Sequence, residues 1–186
     1  HVLSRRQRQM CIRDRKRDGR LEPLDIDKIH FVVEEACEGL TGVSSSQIEI
    51  NANIQFYDGI TTKDIQHVLV KSANDLISLE NPNYQYAAAR LLSYDVRKEA
   101  HGQYEYIPLL KLILRNIKLG VYDRTIVEKY HKSEIKKLNT WIKRDRDLDF
   151  TYAGLRQVVD KYLVQDRSTG ELYETPQDMY MMIAAT

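Results

Sequence analysis

The residues best suited to hold a charged ligand lie between Lys16 and Lys28. Lys16, Arg17 and Lys28 bring cations there, and Glu22, Asp25 and Asp27 bring carboxylates. The chemistry this mixture could perform is polyphosphate binding. A helix N-terminus exposes free amides and a partial positive charge, and lysines supply the remaining countercharge. A hairpin and a helix start are needed to position these groups. Asp18-Gly19 predicts a two-residue primed turn, which needs positive φ that Asp tolerates and Gly adopts freely. Leu21, Pro23 and Leu24 follow on the return side, where Pro23 confines the strand to a sheet edge. Asp25 is placed to cap a helix over 26–38 that stops at Gly39, with an apolar face read as Ile26, Ile29, Val32, Val33, Ala36, Cys37 and Leu40. Taken alone, the stretch also fits an ordinary surface hairpin with solvated basic residues. It is not a Walker loop, because no glycine run leads into Lys-Ser or Lys-Thr.

Length and composition restrict the alternatives. The 186 residues are 42% hydrophobic, enough for one large or two small globular domains with a core. Charged residues make up 30%, yet the formal net charge is +1, which argues against a general nucleic-acid or membrane-surface binder. No apolar run approaches the roughly 20 residues of a membrane span, and no signal peptide is visible. Cys11 and Cys37 have no metal-ligand spacing, so neither a disulfide scaffold nor a zinc site is expected, and a reducing cytoplasm is the expected compartment. His30, His67, His101 and His131 lack i,i+4 pairing and read as surface or helix-end residues rather than metal ligands. Residues 1–15 carry Arg5, Arg6, Arg8, Arg13 and Arg15. They read as a basic arm for nucleic acid or an acidic partner, or as a disordered or non-native stretch. The second reading is preferred, with Ile12 the first residue able to join a strand.

Further along, Ile48, Ile50, Ala52 and Ile54 alternate as in a strand but also fit a short helix, and helix is the reading adopted for 47–55. Asp58-Gly59 makes a turn, and Thr61 caps a helix reaching Ser78, with Asp64 completing a capping box. Asn81 as cap and Pro82 at the first position open a helix carrying Tyr94 and Lys98 to Gly102. Beyond a junction at 102–106, helices are predicted over 107–119, over 124–131, from a Ser133 cap to Ile142, and over 152–163. Lys143 to Asp147 reads as a solvated turn, and Val164 to Glu174 as a hairpin turned at Ser168-Thr169-Gly170. Thr175-Pro176 opens a last helix whose Met179, Tyr180, Met182 and Ile183 form an exposed apolar face without a closing cap, the pattern of a fragment.

The segments Lys-Arg-Asp-Gly, Asp-Lys-Ile, Ile-Gln-Phe-Tyr-Asp-Gly, Asn-Tyr-Gln-Tyr-Ala-Ala-Ala-Arg-Leu and Lys-Tyr-Leu-Val-Gln occur in this order. Together they resemble the amino-terminal part of the large (α) subunit of class I ribonucleotide reductase, in its bacterial aerobic form. The likeness runs from about Lys16 to the end of the sequence. It implies a mainly α fold with an ATP-cone over 14–102, a helical bundle capped by a small antiparallel β-sheet. The helical start of the catalytic domain would follow over 103–186, truncated, with one further β-hairpin, and 1–13 would be a non-matching basic tail. The resemblance also implies ATP (activating) or dATP (inhibiting) as effector, accompanied by Mg²⁺. The nucleotide would meet Lys16 and Arg17 on the hairpin and be wrapped by Glu22, Pro23, Leu24, Asp25, Ile26, Asp27 and Lys28. Thr62, Gln66, Tyr94 and Lys98 would complete the pocket. Lys16, Lys28 and Lys98 can neutralise a triphosphate, and Arg17 can add a forked contact. Glu22 can accept from a sugar hydroxyl or the base, and Thr62 presents a hydroxyl near a helix start. The chain departs from the family pattern at Gln66, where relatives often carry His, at Tyr94 in place of Phe, and at Asp14 in place of an apolar residue on the adenine side.

In this family, reduction runs through a thiyl radical and a redox-active cysteine pair carried by an α/β barrel. Neither Cys11 nor Cys37 matches those positions, so the resemblance implies no catalytic residue and no metal site here. The chain would be the regulatory end of an oxidoreductase that makes deoxyribonucleotides for DNA replication. Implied partners are the radical-bearing small (β) subunit and further α subunits in a homo-oligomer, with no membrane and no nucleic acid. Two other readings are a cone serving as a nucleotide-sensing module without catalysis, and a helical interaction domain whose cone no longer binds nucleotide. Cones of the first kind occur in a repressor behind a zinc ribbon, which needs four metal ligands near the start. This chain offers one Cys there, and 103–186 continues the reductase pattern.

Overall fold

The computed structural model describes residues 12–16 and 19–186. The expected basic tail with Cys11, and Arg17 and Asp18 of the turn, lie outside the described residues. The chain divides into two compact units, one up to Leu92 and one from Ser93.

In the first unit, β1 (Arg13–Arg15) pairs antiparallel with β2 (Leu21–Pro23), with Asp14 opposite Glu22. A third strand, β3 (Ile60–Thr61), pairs parallel with β1, so the order is β2-β1-β3 and Pro23 lies on an edge strand. The sheet is therefore mixed rather than wholly antiparallel. What brings β3 alongside is the carboxylate of Asp58, which accepts from the backbone N, Nε and Nη2 of Arg13 at 2.9, 3.1 and 2.7 Å. The hairpin closes on backbone bonds. Lys16 N donates to Arg20 O and Gly19 N to Lys16 O, both at 2.9 Å, and Gly19 has φ +87°. These bonds close the hairpin with glycine in the left-handed position.

Helix α1 (Ile26–Cys37) buries Ile29, Val33 and Ala36 and starts on Asp25, which accepts from Lys28 N at 3.1 Å. Helix α2 (Ser45–Asn53) shows why helix defeats strand in that segment. Ile48 and Ala52, one turn apart, are buried, whereas Ile50 and Ile54 are exposed. Helix α3 (Thr62–Asn74) begins on Thr61, whose Oγ1 accepts from Asp64 N at 3.0 Å and donates to Asp64 Oδ2 at 2.7 Å. It ends short of Ser78. Helix α4 (Tyr84–His101) begins later than Asn81-Pro82, which form a turn closed by Gln85 N donating to Pro82 O at 3.1 Å. The unit's core includes Val33, Ile48, Ile60, Leu69 and Leu91. Buried Tyr84 ties it to the start of α2, donating to Gln47 Oε1 at 2.7 Å and accepting from Ser44 N at 3.0 Å.

The second unit holds α5 (Leu109–Lys118), α6 (Thr125–Lys129), α7 (Lys132–Trp141), a 3₁₀ turn (Arg144–Asp149), α8 (Tyr152–Lys161) and α9 (Pro176–Ala185). Ile107, Leu109, Leu112, Ile113, Ile126 and Ile135 form its apolar centre. His131, not Ser133, caps α7. Its ring accepts from Ser133 N, and its own N donates to Glu134 Oε2 at 2.7 Å. The expected solvated turn is the 3₁₀ segment, and it buries Asp147. The expected hairpin over 164–174 forms around the antiparallel bridge Gln165 to Leu172, with Asp166 N donating to Glu171 O at 2.9 Å and Tyr173 N to Val164 O at 3.0 Å, and the Asp166 carboxylate holds Ser168 in its turn. The apolar face of α9 is only half exposed. Met179 is buried and Met182 half-buried, while Tyr180 and Ile183 face solvent. His101 is also buried, at the end of α4, rather than on the surface. Among the described residues, no helix is long and apolar enough to cross a membrane.

Candidate nucleotide-binding site

The hairpin and the first turn of α1 form one charged corner. Lys16 leaves β1 with Nζ 2.7 Å from Asp14 Oδ2 and 3.8 Å from Glu22 Oε2. Asp14 and Glu22 are directly opposite across the strands, a like-charge placement that destabilises unless a cation lies between them. Lys16 is that cation. Arg20 Nη1 reaches the other Glu22 oxygen at 3.1 Å. On α1, Lys28 Nζ lies 3.1 Å from Asp25 Oδ2, while the Lys28 amide occupies Oδ1.

The two halves of the corner act on one another through space. The backbone bond from Lys28 holds the Asp25 carboxyl below its ordinary value, its side-chain ammonium adds to this, and Lys16 contributes at longer range. Asp25 raises Lys28 in turn, with smaller contributions from Glu22 and Asp14. Thr62, in the first turn of α3, donates Oγ1 to Arg15 O at 3.4 Å and so ties a second helix N-terminus to β1. Leu24 N donates to Ile12 O at 3.0 Å, which continues the strand pairing to the start of α1 and orients the segment from Pro23 to Asp27.

Other residues read from the sequence have different surroundings. Gln66 donates Nε2 to Leu91 O at 2.8 Å, which turns its amide towards α4. In the second unit, Tyr94 is buried with its ring 6.0 Å from that of Tyr104, and the Arg97 guanidinium lies 5.1 Å from its centroid. Lys98 follows on the same helix, one turn later.

One contributor was not read from the sequence. Arg90 donates Nη1 to Ala36 O at 3.2 Å and Glu38 O at 2.7 Å, satisfying the C-terminal carbonyls of α1 and fixing the helix whose N-terminus faces the hairpin. An arginine inside the run Ala87-Ala88-Ala89-Arg90-Leu91 was the available signal, because a long cation in a buried stripe needs a carbonyl partner. Asp14, read from the sequence as a departure from the family pattern, is buried. It is only 3% exposed, and its Oδ1 has no hydrogen-bond partner.

These features suit ion pairing with a polyanion, through ammonium groups beside helix amides. Comparison with known proteins gives the corner its context. Over 170 residues the chain is 48% identical to the ribonucleoside-diphosphate reductase 1 subunit alpha of Salmonella typhimurium, an alignment spanning 91% of this chain and 22% of that protein. Over most of its length the chain is thus similar to ribonucleotide reductase large subunits. Residues 15–99 match the ATP cone domain, and residues 148–186 match the ribonucleotide reductase all-alpha domain. The alpha subunit of Haemophilus influenzae is 42% identical over 92% of this chain and 23% of its own length. That of Enterobacteria phage T4 is 42% identical over 90% of this chain and 22% of its own. The chain thus spans about a fifth of the length of the curated relatives it matches. Apart from Asp14, the charged corner lies inside the segment matched as ATP cone.

Proposed function

We propose that this chain is the allosteric portion of a ribonucleoside-diphosphate reductase large subunit and binds ATP or dATP at the hairpin and the start of α1. The observation that carries the reading is the convergence of Lys16 and Lys28, each paired with a carboxylate, on a capped helix N-terminus, with both lysines and the cap inside the segment matched as ATP cone. A triphosphate offers these lysines a stronger anion than the side chains they now hold. Mg²⁺ would arrive with the phosphates as their counterion. Glu22 is an acceptor suited to a sugar hydroxyl, and the two effectors differ in the 2′-hydroxyl. On the family resemblance alone, Arg17, Pro23, Leu24, Ile26, Asp27, Thr62, Gln66, Tyr94 and Lys98 belong to the same site. On the same basis the cone spans 14–102 and the start of the catalytic domain 103–186.

The full enzyme would reduce ribonucleotides in the cytoplasm together with a radical-bearing β subunit, and α subunits would associate with one another. Each effector would bias which assembly forms, for which a difference of a few kcal/mol between states is enough. Thermal unfolding of the chain with ATP or dATP and Mg²⁺ tests the reading. A ligand at 100 times its dissociation constant adds about 2.7 kcal/mol, so the melting temperature rises. An unchanged melting temperature at saturating concentrations of both nucleotides supports instead an interaction module that has lost its ligand. The Gln66 amide bonded to Leu91 and the Lys16–Asp14 pair are the observations that favour this second reading.

A further inference from the structure

We infer that the groove between α5 and α7 is a docking surface for an acidic amphipathic helix of a partner protein. The groove is open, about 780 Å³ in volume, and no described residue lining it is acidic. Lys111, Leu114, Arg115 and Lys118 follow one another at i, i+3, i+4 and i+7, so they form one stripe along α5. Lys136 lines the groove from α7. Half-buried Leu110 adds apolar surface beside Leu114, which is 44% exposed. Leu109 N donates to Asn139 Oδ1 at 2.8 Å, which ties the start of α5 to α7.

Packing accounts for the opposite face of α5, where Leu109, Leu112, Ile113 and Asn116 are buried, but not for Lys111. Lys111 stands in the first turn, where the helix dipole disfavours a cation, and Arg115 follows it at i+4, where like charges repel. No Asp or Glu occurs from Tyr106 to Tyr122 to offset them. Arg115 is fixed in place, with Nε and Nη2 donating to Asn116 Oδ1 at 3.0 and 2.9 Å and Nη2 also to Tyr173 O at 3.0 Å. A purely apolar ligand would desolvate the lysines without pairing them, and a purely anionic one would leave Leu110 and Leu114 uncovered. A helix whose carboxylates flank an apolar stripe meets both demands. A bilayer is the poorer fit, because a flat surface does not enter a groove walled by two helices.

The experiment is fluorescence anisotropy of a labelled peptide of about 18 residues, with leucine at i, i+3, i+4 and i+7 and glutamate elsewhere. It is titrated with the 186-residue chain and its variants. Saturable binding is expected that weakens with added salt, and by at least about tenfold in Lys111→Glu/Lys136→Glu. Leu114→Ser should weaken it at least about threefold, whereas Lys28→Ala, on α1, should leave it unchanged. Far-UV circular dichroism checks folding, and Lys111→Gln/Lys136→Gln carries the same test if the reversal variant does not fold. Absence of saturable binding overturns the inference. Equal affinity in the reversal variant, an equal loss in Lys28→Ala, or equal binding of a peptide with serine in place of leucine does the same. Capture of phosphatidylserine vesicles without peptide binding assigns the groove to a bilayer, and self-association abolished by the reversal variant assigns it to a second copy of the chain. Either result overturns the partner reading.

Discussion

In the first unit, Lys28 and Asp25 pair at 3.1 Å with their side chains 79% and 39% exposed, whereas in the second unit His101 and Asp178 lie 3.1 Å apart with both side chains fully buried. The second pair belongs to a closed set of contacts. His101 Nδ1 accepts from Ile107 N at 3.2 Å, and Arg144 Nη2 lies 2.7 Å from Asp178 Oδ1. Thr175 Oγ1 donates to Asp178 Oδ2 at 2.7 Å. Cation–aromatic contacts border this set, with the Arg144 guanidinium 4.5 Å from the ring centre of Tyr106 and that of Arg97 4.1 Å from the ring centre of Tyr104. Exposed pairs contribute little to folding, because water replaces either partner at small cost. That cheapness would suit the proposed nucleotide corner, whose cations would change partners on binding a ligand. The buried set is costly to open, so it joins α9 to the end of α4 and the 3₁₀ turn in one arrangement. Similar residue types therefore serve exchange in one unit and fixed packing in the other.

The contrast is broken most directly at Asp178. Asp178→Ala leaves the Arg144 guanidinium without its carboxylate and buried His101 without an acceptor, and is expected to cost about 3–5 kcal/mol in urea unfolding. A loss under about 1 kcal/mol would mean that the buried set behaves like the exposed one. Asp147 offers a second, somewhat smaller test. Burial pushes its carboxyl up from 3.8 to about 7; Asp178 adds to this, while Arg144 and Arg97 oppose it. The folded chain therefore keeps a proton on Asp147 that the unfolded chain has released. Stability contributed by this group is complete below about pH 4 and is lost as pH rises towards 7. Asp147→Asn should gain stability relative to the wild type between pH 5 and pH 8, by up to about 3 kcal/mol. Parallel stability–pH curves for the two proteins would contradict the assignment. Asp178 moves the other way. Burial alone would raise it, but His101 and Arg144 bring it below its ordinary value, so its contribution is lost on acidification instead.

The parts of the fold that depend on neighbouring residues were legible in the sequence. Asp25 and Thr61 announced two helix starts, and Gly19 the left-handed end of the hairpin loop. What could not be read was pairing across long stretches of chain. β3 has two residues, too few for any periodicity, and it exists because Asp58 reaches Arg13. The run from Lys143 to Asp147 is as polar as a solvated turn, and only its packing with α9 buries Asp147. His101 ends α4, as its position implies, but its burial beside Asp178 leaves no local trace. In the candidate site, residue types identified Lys16, Glu22, Asp25 and Lys28 as a charged set. Neither the burial of Asp14 in a three-residue strand nor the engagement of Gln66 with Leu91 O leaves a local trace.

The central claim is that the corner formed by the hairpin and α1 holds the nucleotide, and Lys28 is the residue on which to test it. Its side chain is 79% exposed, so Lys28→Ala leaves the core untouched. Calorimetric titration of dATP with Mg²⁺ into the wild type and into Lys28→Ala should show affinity at least about tenfold weaker in the variant, a loss of about 1.4 kcal/mol. Equal affinity in the two proteins would place the nucleotide elsewhere and contradict the account.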